Sequence, residues 1–316
     1  MRTLLLAVLL VPAPAAYAAG TQGATAFDFL SIDAAPRPAA MGGAYAAVAD
    51  DADGMLYNPA GLAFLNEDQA SFAHADYIQG ITQDYLALAF RGGDGRRQYD
   101  DGRHWLSDGA GAGVYVNTLD FGGIQRTTLA NQSGAGLDSF GVRDWALGAG
   151  YARRGPWSWL GFGGALKYLR ENIDNTVAQT VALDMGARAD LQEPFGVPFT
   201  AGLALQNLGQ DPRYRVVREP MPTALRLGGA WLPNASVTIA ADLVQVRGGA
   251  LTPHAGVEWR AFESAALRMG YDGKNDAGPG ITVGASVTWR MVRFDYAFVP
   301  YGDLGDAHRL GATVRW

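Results

Sequence analysis

The sequence predicts an all-β fold: a transmembrane antiparallel β-barrel of about fourteen strands with an N-terminal plug segment. Three observations lead there. From about Gln69 to the end, apolar residues recur with period two between glycine-rich or proline-rich breaks. Charged residues are only 18% of the chain, below the roughly one quarter typical of soluble domains, which points to an apolar solvent. The chain also stops on an aromatic residue, Trp316, at the end of an alternating segment.

The first element is an address. Arg2 supplies a positive start, Leu4 to Val11 form a short apolar stretch, and Ala16-Tyr17-Ala18 is a small-x-small cleavage site, so residues 1–18 read as a signal peptide. The apolar stretch falls well short of the roughly 20 residues that span a bilayer as a helix. No other uninterrupted apolar run has spanning length. A membrane protein of this composition must therefore be a closed barrel, since only helices and closed barrels satisfy every backbone group in lipid.

Residues 19–68 break the period-two rule and are rich in small side chains, the expected lumen or plug segment. Residues 69–316 form the barrel, with strands expected at 69–77, 81–91, 110–127, 141–152, 158–170, 179–191, 198–208, 222–232, 236–246, 253–262, 265–272, 279–289, 291–299 and 308–316. Their faces are consistent. Trp145, Leu147, Ala149 and Tyr151 oppose Asp144; Leu183, Met185 and Leu191 oppose Asp184, Arg188 and Asp190; Val237, Ile239 and Leu243 oppose Asp242. Val257 and Trp259 oppose Glu258 and Arg260; Leu267, Met269 and Tyr271 oppose Arg268; Val292, Phe294, Tyr296 and Phe298 oppose Arg293 and Asp295.

A soluble sandwich also alternates, so strand length decides. Most segments reach the roughly 9 to 11 residues that a tilted strand needs to cross a bilayer. Trp231, Trp259, Trp289, Tyr271 and Tyr151 stand near segment ends, where barrels carry aromatic girdles. Tight breaks at 232–235, 262–264 and 289–291 alternate with longer ones at 209–221, 272–278 and 300–307, as short periplasmic turns alternate with longer outer loops. The last strand puts Leu310, Ala312, Val314 and Trp316 on one face, and Gly311, Val314 and Trp316 resemble the terminal signal by which bacterial barrels are recognised for assembly. The expected location is the bacterial outer membrane, with its lipid as the surrounding partner.

Composition excludes several functions. There is no cysteine, hence no disulfide, thiolate metal site or cysteine nucleophile. A net charge of −6 gives no basic stripe for nucleic acid. Asp50-Asp51-Ala52-Asp53-Gly54 fails as a calcium loop, because aligning Gly54 with the loop's glycine puts Ala49 at the first ligand and Ala60 at the last; a polar cap or turn is the reading. His74, His104, His254 and His308 are scattered, without metal-ligand spacing. Gly109 to Gly113 and Gly161 to Gly164 open no helix, so phosphate binding is unsupported, and glycine inside strands marks bends or close packing. No Gly-x-Ser-x-Gly elbow occurs. The expectation is a protein without catalytic residues or cofactor. The candidate lumen charges are Asp184, Arg188, Arg226, Asp242, Glu258, Arg268, Arg293 and Asp295, read as a paired, hydrated lining in preference to a substrate path.

Two sets of motifs carry a family resemblance. Met41-Gly42-Gly43-Ala44-Tyr45-Ala46-Ala47-Val48-Ala49-Asp50-Asp51-Ala52-Asp53 followed by Tyr57-Asn58-Pro59-Ala60-Gly61-Leu62 resembles the start of FadL-like outer-membrane proteins, where an Asn-Pro-Ala element belongs to a segment that plugs the barrel. Within that superfamily, the run from Asp295 to Gly305, His308-Arg309, Gln206-Asn207-Leu208-Gly209, and Pro220-Met221-Pro222 leading into Leu225 to Gly228 resemble the PorV/PorQ branch. The charged stretch from Arg91 to Asp108 departs from the pattern and puts the early strand count in question. The closer resemblance implies an accessory in protein export and surface attachment, of type 9 secretion kind, with exported cargo and secretion components as partners. The broader one implies, as the alternative, a transporter of fatty acids or other hydrophobic small molecules.

Overall fold

A computed structural model describes residues 25–93 and 109–316. The expected signal peptide, His104 and most of the charged stretch after Arg91 lie outside the described residues.

The strands are β1 Gln69–Asp76, β2 Thr82–Arg91, β3 Ala110–Gln125, β4 Ser139–Arg154, β5 Leu160–Ile173, β6 Thr176–Asp190, β7 Phe199–Gly209, β8 Arg213–Tyr214, β9 Val217–Arg218, β10 Ala224–Asn234, β11 Val237–Val246, β12 Leu251–Phe262, β13 Ala265–Asp272, β14 Ile281–Trp289, β15 Val292–Pro300 and β16 Asp306–Arg315. All but β8 and β9 form a closed antiparallel barrel in chain order, shut by β1 pairing with β16. Gln69 faces Arg315 there, so both ends of the wall meet at one rim, the terminal rim. The expected strands all occur, and β2 pairs with β3 from Thr82 and Asp120 to Arg91 and Gly111, so the early strand count holds.

Two details differ from the sequence reading. β5 and β6 extend past their expected break and meet at Asp174-Asn175, with Asp174 in the left-handed region (φ 52°). The polar run Arg170-Glu171-Asn172 resembles a loop but continues the strand, because a strand that rises above the apolar belt needs no apolar face. The long break after β7 also holds the β8–β9 hairpin, too short to show a periodic pattern.

Alternation sorts the side chains by solvent. Leu86, Leu147, Leu166, Leu183, Leu225, Leu267 and Leu310 point out and are exposed, as are Trp231, Trp259, Trp289, Tyr151 and Tyr271 near the strand ends. An exposed apolar surface of this extent is what lipid solvates and water does not. Inward positions are mostly small or polar, with a few large apolar exceptions such as Leu119 and Leu169.

The N-terminal segment fills part of the interior. It consists of short turns and helices: α1 (Pro36–Ala40) and short 3-10 pieces at Asp28–Ser31, Ala52–Leu56 and Pro59–Phe64. Pro36 and Pro38 start α1, where the missing amide costs nothing. The inward glycines track its path. Pro36 lies against Gly311 of β16, Ala40 against Gly284 of β14, Met41 against Gly256 of β12, Ala46 against Gly202 of β7, Asn58 against Gly186 of β6, Pro59 against Gly163 of β5 and Leu62 against Gly111 of β3. At Gly256 a Cβ would stand 2.5 Å from the Met41 carbonyl oxygen. A side chain at these sites would push the segment off the wall, which gives these strand glycines their physical role.

Candidate functional site

The inward charges and the N-terminal segment form one bonded system. Arg37 of α1 donates from Nε to Glu258 at 2.9 Å and from Nη1 to Asp51 at 2.8 Å. Arg268 bridges Glu258 at 2.7 Å and Asp295 at 2.9 Å. Arg293 bridges Asp295 at 2.6 Å and Asp51 at 3.5 Å, which closes a ring of three guanidinium groups and three carboxylates. Their side chains are all at most 7% exposed. Two members, Arg37 and Asp51, belong to the segment; four belong to β12, β13 and β15. Asp50 adds a further contact to Arg37 at 2.7 Å, and the Tyr45 hydroxyl joins Arg37 and Asp51 at 2.7 and 2.8 Å.

The other expected lumen charges hold the same segment elsewhere. Asp242 accepts from the backbone N–H groups of Tyr45 and Ala46, each at 2.9 Å, and pairs with Arg226 at 3.0 Å. Arg226 also donates to the Gly43 carbonyl at 2.7 Å, and Arg188 donates to the Ala47 carbonyl at 2.9 Å. Asp184 alone is given to the wall: it pairs with Lys167 at 2.8 Å and accepts from the backbone N–H of Asn207, whose left-handed backbone (φ 59°) lies beside a register shift between β6 and β7.

Asn58 is fully buried. Its side-chain nitrogen donates to the carbonyls of Ala46 at 2.9 Å and Ala187 at 3.0 Å, while its oxygen caps the next turn by accepting from Ala60 N–H at 3.1 Å. Pro59 opens that turn, as its fixed φ favours. Gly311 and Val314 lie on β16, Gly311 inward against Pro36 and Val314 on the outward face with exposed Trp316. Trp316 exchanges backbone hydrogen bonds with Asp68 at 3.1 and 3.2 Å, which ties the chain end to the end of the segment.

Burial splits two neighbouring acids that lie on the segment and not on a spanning strand. Burial alone would raise Asp51, but the guanidinium groups of Arg37 and Arg293 outweigh it and hold its carboxyl at about 2. For Asp53, burial and then the Asp51 carboxylate outweigh the pull of Arg293 and a hydrogen bond to Ser71 and push it up to about 7.

Between the segment and the rim opposite the termini lies a cavity of about 550 Å³. Its walls mix Phe27, Phe29, Leu119 and Phe121 with Asn117, Lys167 and Arg226. A second hollow of about 330 Å³ opens near the terminal rim, lined by Arg37, Glu258, Arg268, Arg293 and Arg315. The N-terminal segment stands between the two. Sequence reasoning found the wall charges but missed Arg37, Asp51, Tyr45 and Lys167. A signal for Arg37 existed: it is the only Lys or Arg between residues 3 and 90, set between two prolines.

No protein-family model matches the chain, and no curated protein sequence matches it. Its structure is similar to several solved barrels. The Ralstonia pickettii toluene transporter TbuX superposes with a TM-score of 0.56 at 14% identity, covering 89% of this chain and 97% of that one. A Pseudomonas aeruginosa FadL homologue gives 0.53 at 12% identity, over 89% and 98%. The P. putida toluene transporter TodX gives 0.50 at 13% identity, over 90% and 96%. At such identities the likeness establishes the fold: a fourteen-stranded antiparallel barrel of the FadL and TodX type.

Proposed function

We propose that the protein is an integral channel of a bacterial outer membrane that admits a small, largely apolar molecule, with the N-terminal segment as its plug. The observation that carries this reading is the cavity of about 550 Å³ that the segment floors, within the roughly 300 to 1,000 Å³ range of small-molecule sites. Its mixed walls supply apolar surface with a few polar anchors. The exposed apolar belt supports the membrane setting. The fold neighbours carry the names of toluene transporters and a FadL homologue, which favours transport over the secretion role that the PorV/PorQ motifs imply, and favours a non-enzymatic protein. The finer secretion reading rests on sequence motifs alone.

The test is uptake of a radiolabelled aromatic hydrocarbon and of a medium-chain fatty acid by cells with and without the gene. Faster uptake of either in cells that carry it supports the proposal. Equal uptake of both, from a protein verified in the membrane, refutes it.

A further inference from the structure

The wall places one carboxylate in the cavity without a partner. Asp144 of β4 is only 5% exposed, yet its Oδ1 meets no hydrogen-bond donor among the described residues. Glu171 of β5 is its cross-strand neighbour. Glu171 accepts from the Phe27 N–H at 3.1 Å and the Tyr214 hydroxyl at 2.6 Å, both neutral donors. Both acids line the cavity of about 550 Å³.

The cations of the same cavity are engaged elsewhere. Lys167 is held by Asp184 at 2.8 Å, Arg226 by Asp242 at 3.0 Å and Arg247 by Asp211 at 2.9 Å, while Lys274 donates to the Ser31 carbonyl at 2.8 Å. A buried carboxylate without a donor is costly, and a cation that brings N–H groups satisfies both its charge and its lone pairs. Leu119, the partner of Asp144 across β3 and β4, with Phe27 and Phe121, gives an apolar surface beside the acids.

We propose that this part of the cavity recognises an organic ammonium: a primary amine on an apolar, aromatic-sized body. The N–H donors of an ammonium answer the two neighbouring acids, Asp144 and Glu171, and the body lies on Leu119, Phe27 and Phe121. A carboxylate ligand meets two like charges there. This assignment rests on the channel reading above and narrows its substrate class.

The test is calorimetric titration of the full-length protein in nonionic detergent at neutral pH with three probes of one shape: 2-phenylethylamine, n-propylbenzene and 3-phenylpropionate. The amine binds at least about tenfold more tightly than the hydrocarbon, and the acid more weakly than either. Asp144→Asn and, separately, Glu171→Gln erase the preference for amine and leave the hydrocarbon within about twofold. Two variants guard against one that fails to fold, and heat-dependent gel migration reports the intact barrel. Hydrocarbon binding without preference for the amine overturns this proposal and leaves the channel reading standing. A preference that survives in both variants overturns the assignment to these acids. No binding of any probe by folded protein overturns the proposal together with the channel reading beneath it.

Discussion

Replacing Arg37 with Met removes one corner of the charge ring without touching the barrel wall. The substitution deletes contacts to Asp50, Asp51 and Glu258 at 2.7, 2.8 and 2.9 Å, together with a hydrogen bond to Tyr45. Removing one partner of a buried ion pair costs about 3 to 5 kcal/mol, because the remaining charge stays buried. Here the buried carboxylates keep other cations, Asp51 with Arg293 at 3.5 Å and Glu258 with Arg268 at 2.7 Å and Arg260 at 3.4 Å, while Asp50 is about one-third exposed to water. The cost therefore sits near the lower end, about 3 kcal/mol, or roughly a hundredfold shift of the segment from docked to released. The chain has no cysteine, so Ala44→Cys, at a position with no solvent exposure, is a clean reporter. Maleimide labelling of Cys at that position is expected to accelerate about a hundredfold in the Arg37→Met background, with barrel migration on gels unchanged. Labelling at the parent rate, with the barrel intact, would refute the claim that the ring holds the segment.

Three further predictions use the same reporter or the barrel itself. Asn58→Ala leaves the Ala46 and Ala187 carbonyls and the Ala60 N–H without their partner, and is expected to weaken docking by about 1 to 3 kcal/mol, read as about 5- to 100-fold faster labelling. Asp53 sits at about 7 in the docked segment, above the usual carboxylate value, so its contribution is complete below about pH 4 and is lost as pH rises through about 7. Asp51, held at about 2, contributes above about pH 4 and loses that contribution as pH falls toward 2. Labelling, divided at each pH by the rate for free cysteine to remove thiol ionisation, is thus slowest near the middle of the acid range, and Asp53→Asn removes the upper limb of that ratio; an unchanged upper limb in that variant contradicts the assignment. Leu166→Arg places a charge on the outward face of β5, where a midplane cation costs about 2 to 4 kcal/mol. Urea unfolding in lipid vesicles should show that loss.

The wall was legible because its rule is local. Each strand alternates between two solvents, so Leu183 against Asp184 or Phe294 against Arg293 reveals its face without knowledge of any neighbour. The strand end at Asp174 was missed for the converse reason: above the apolar belt both faces are wet and alternation vanishes. The segment obeys no period at all. Its conformation is dictated by distant partners, as Arg37 finds Glu258 and Asn58 finds Ala187, and such pairings leave no trace in spacing. For the same reason the wall charges looked like a hydrated lining, whereas most of them are the sockets of the segment. The glycines gave a half-read signal. Their strand positions announced close packing, but only the folded chain shows Met41 against Gly256 and Ala46 against Gly202.

The most direct test of the channel account is native mass spectrometry of the protein extracted in mild detergent from the membranes of cells that make it. The account predicts a barrel that carries a small organic molecule, lost in Ala224→Trp, which fills the cavity of about 550 Å³ from its wall. A barrel that carries no small molecule and instead co-purifies with exported proteins or secretion components would contradict the account.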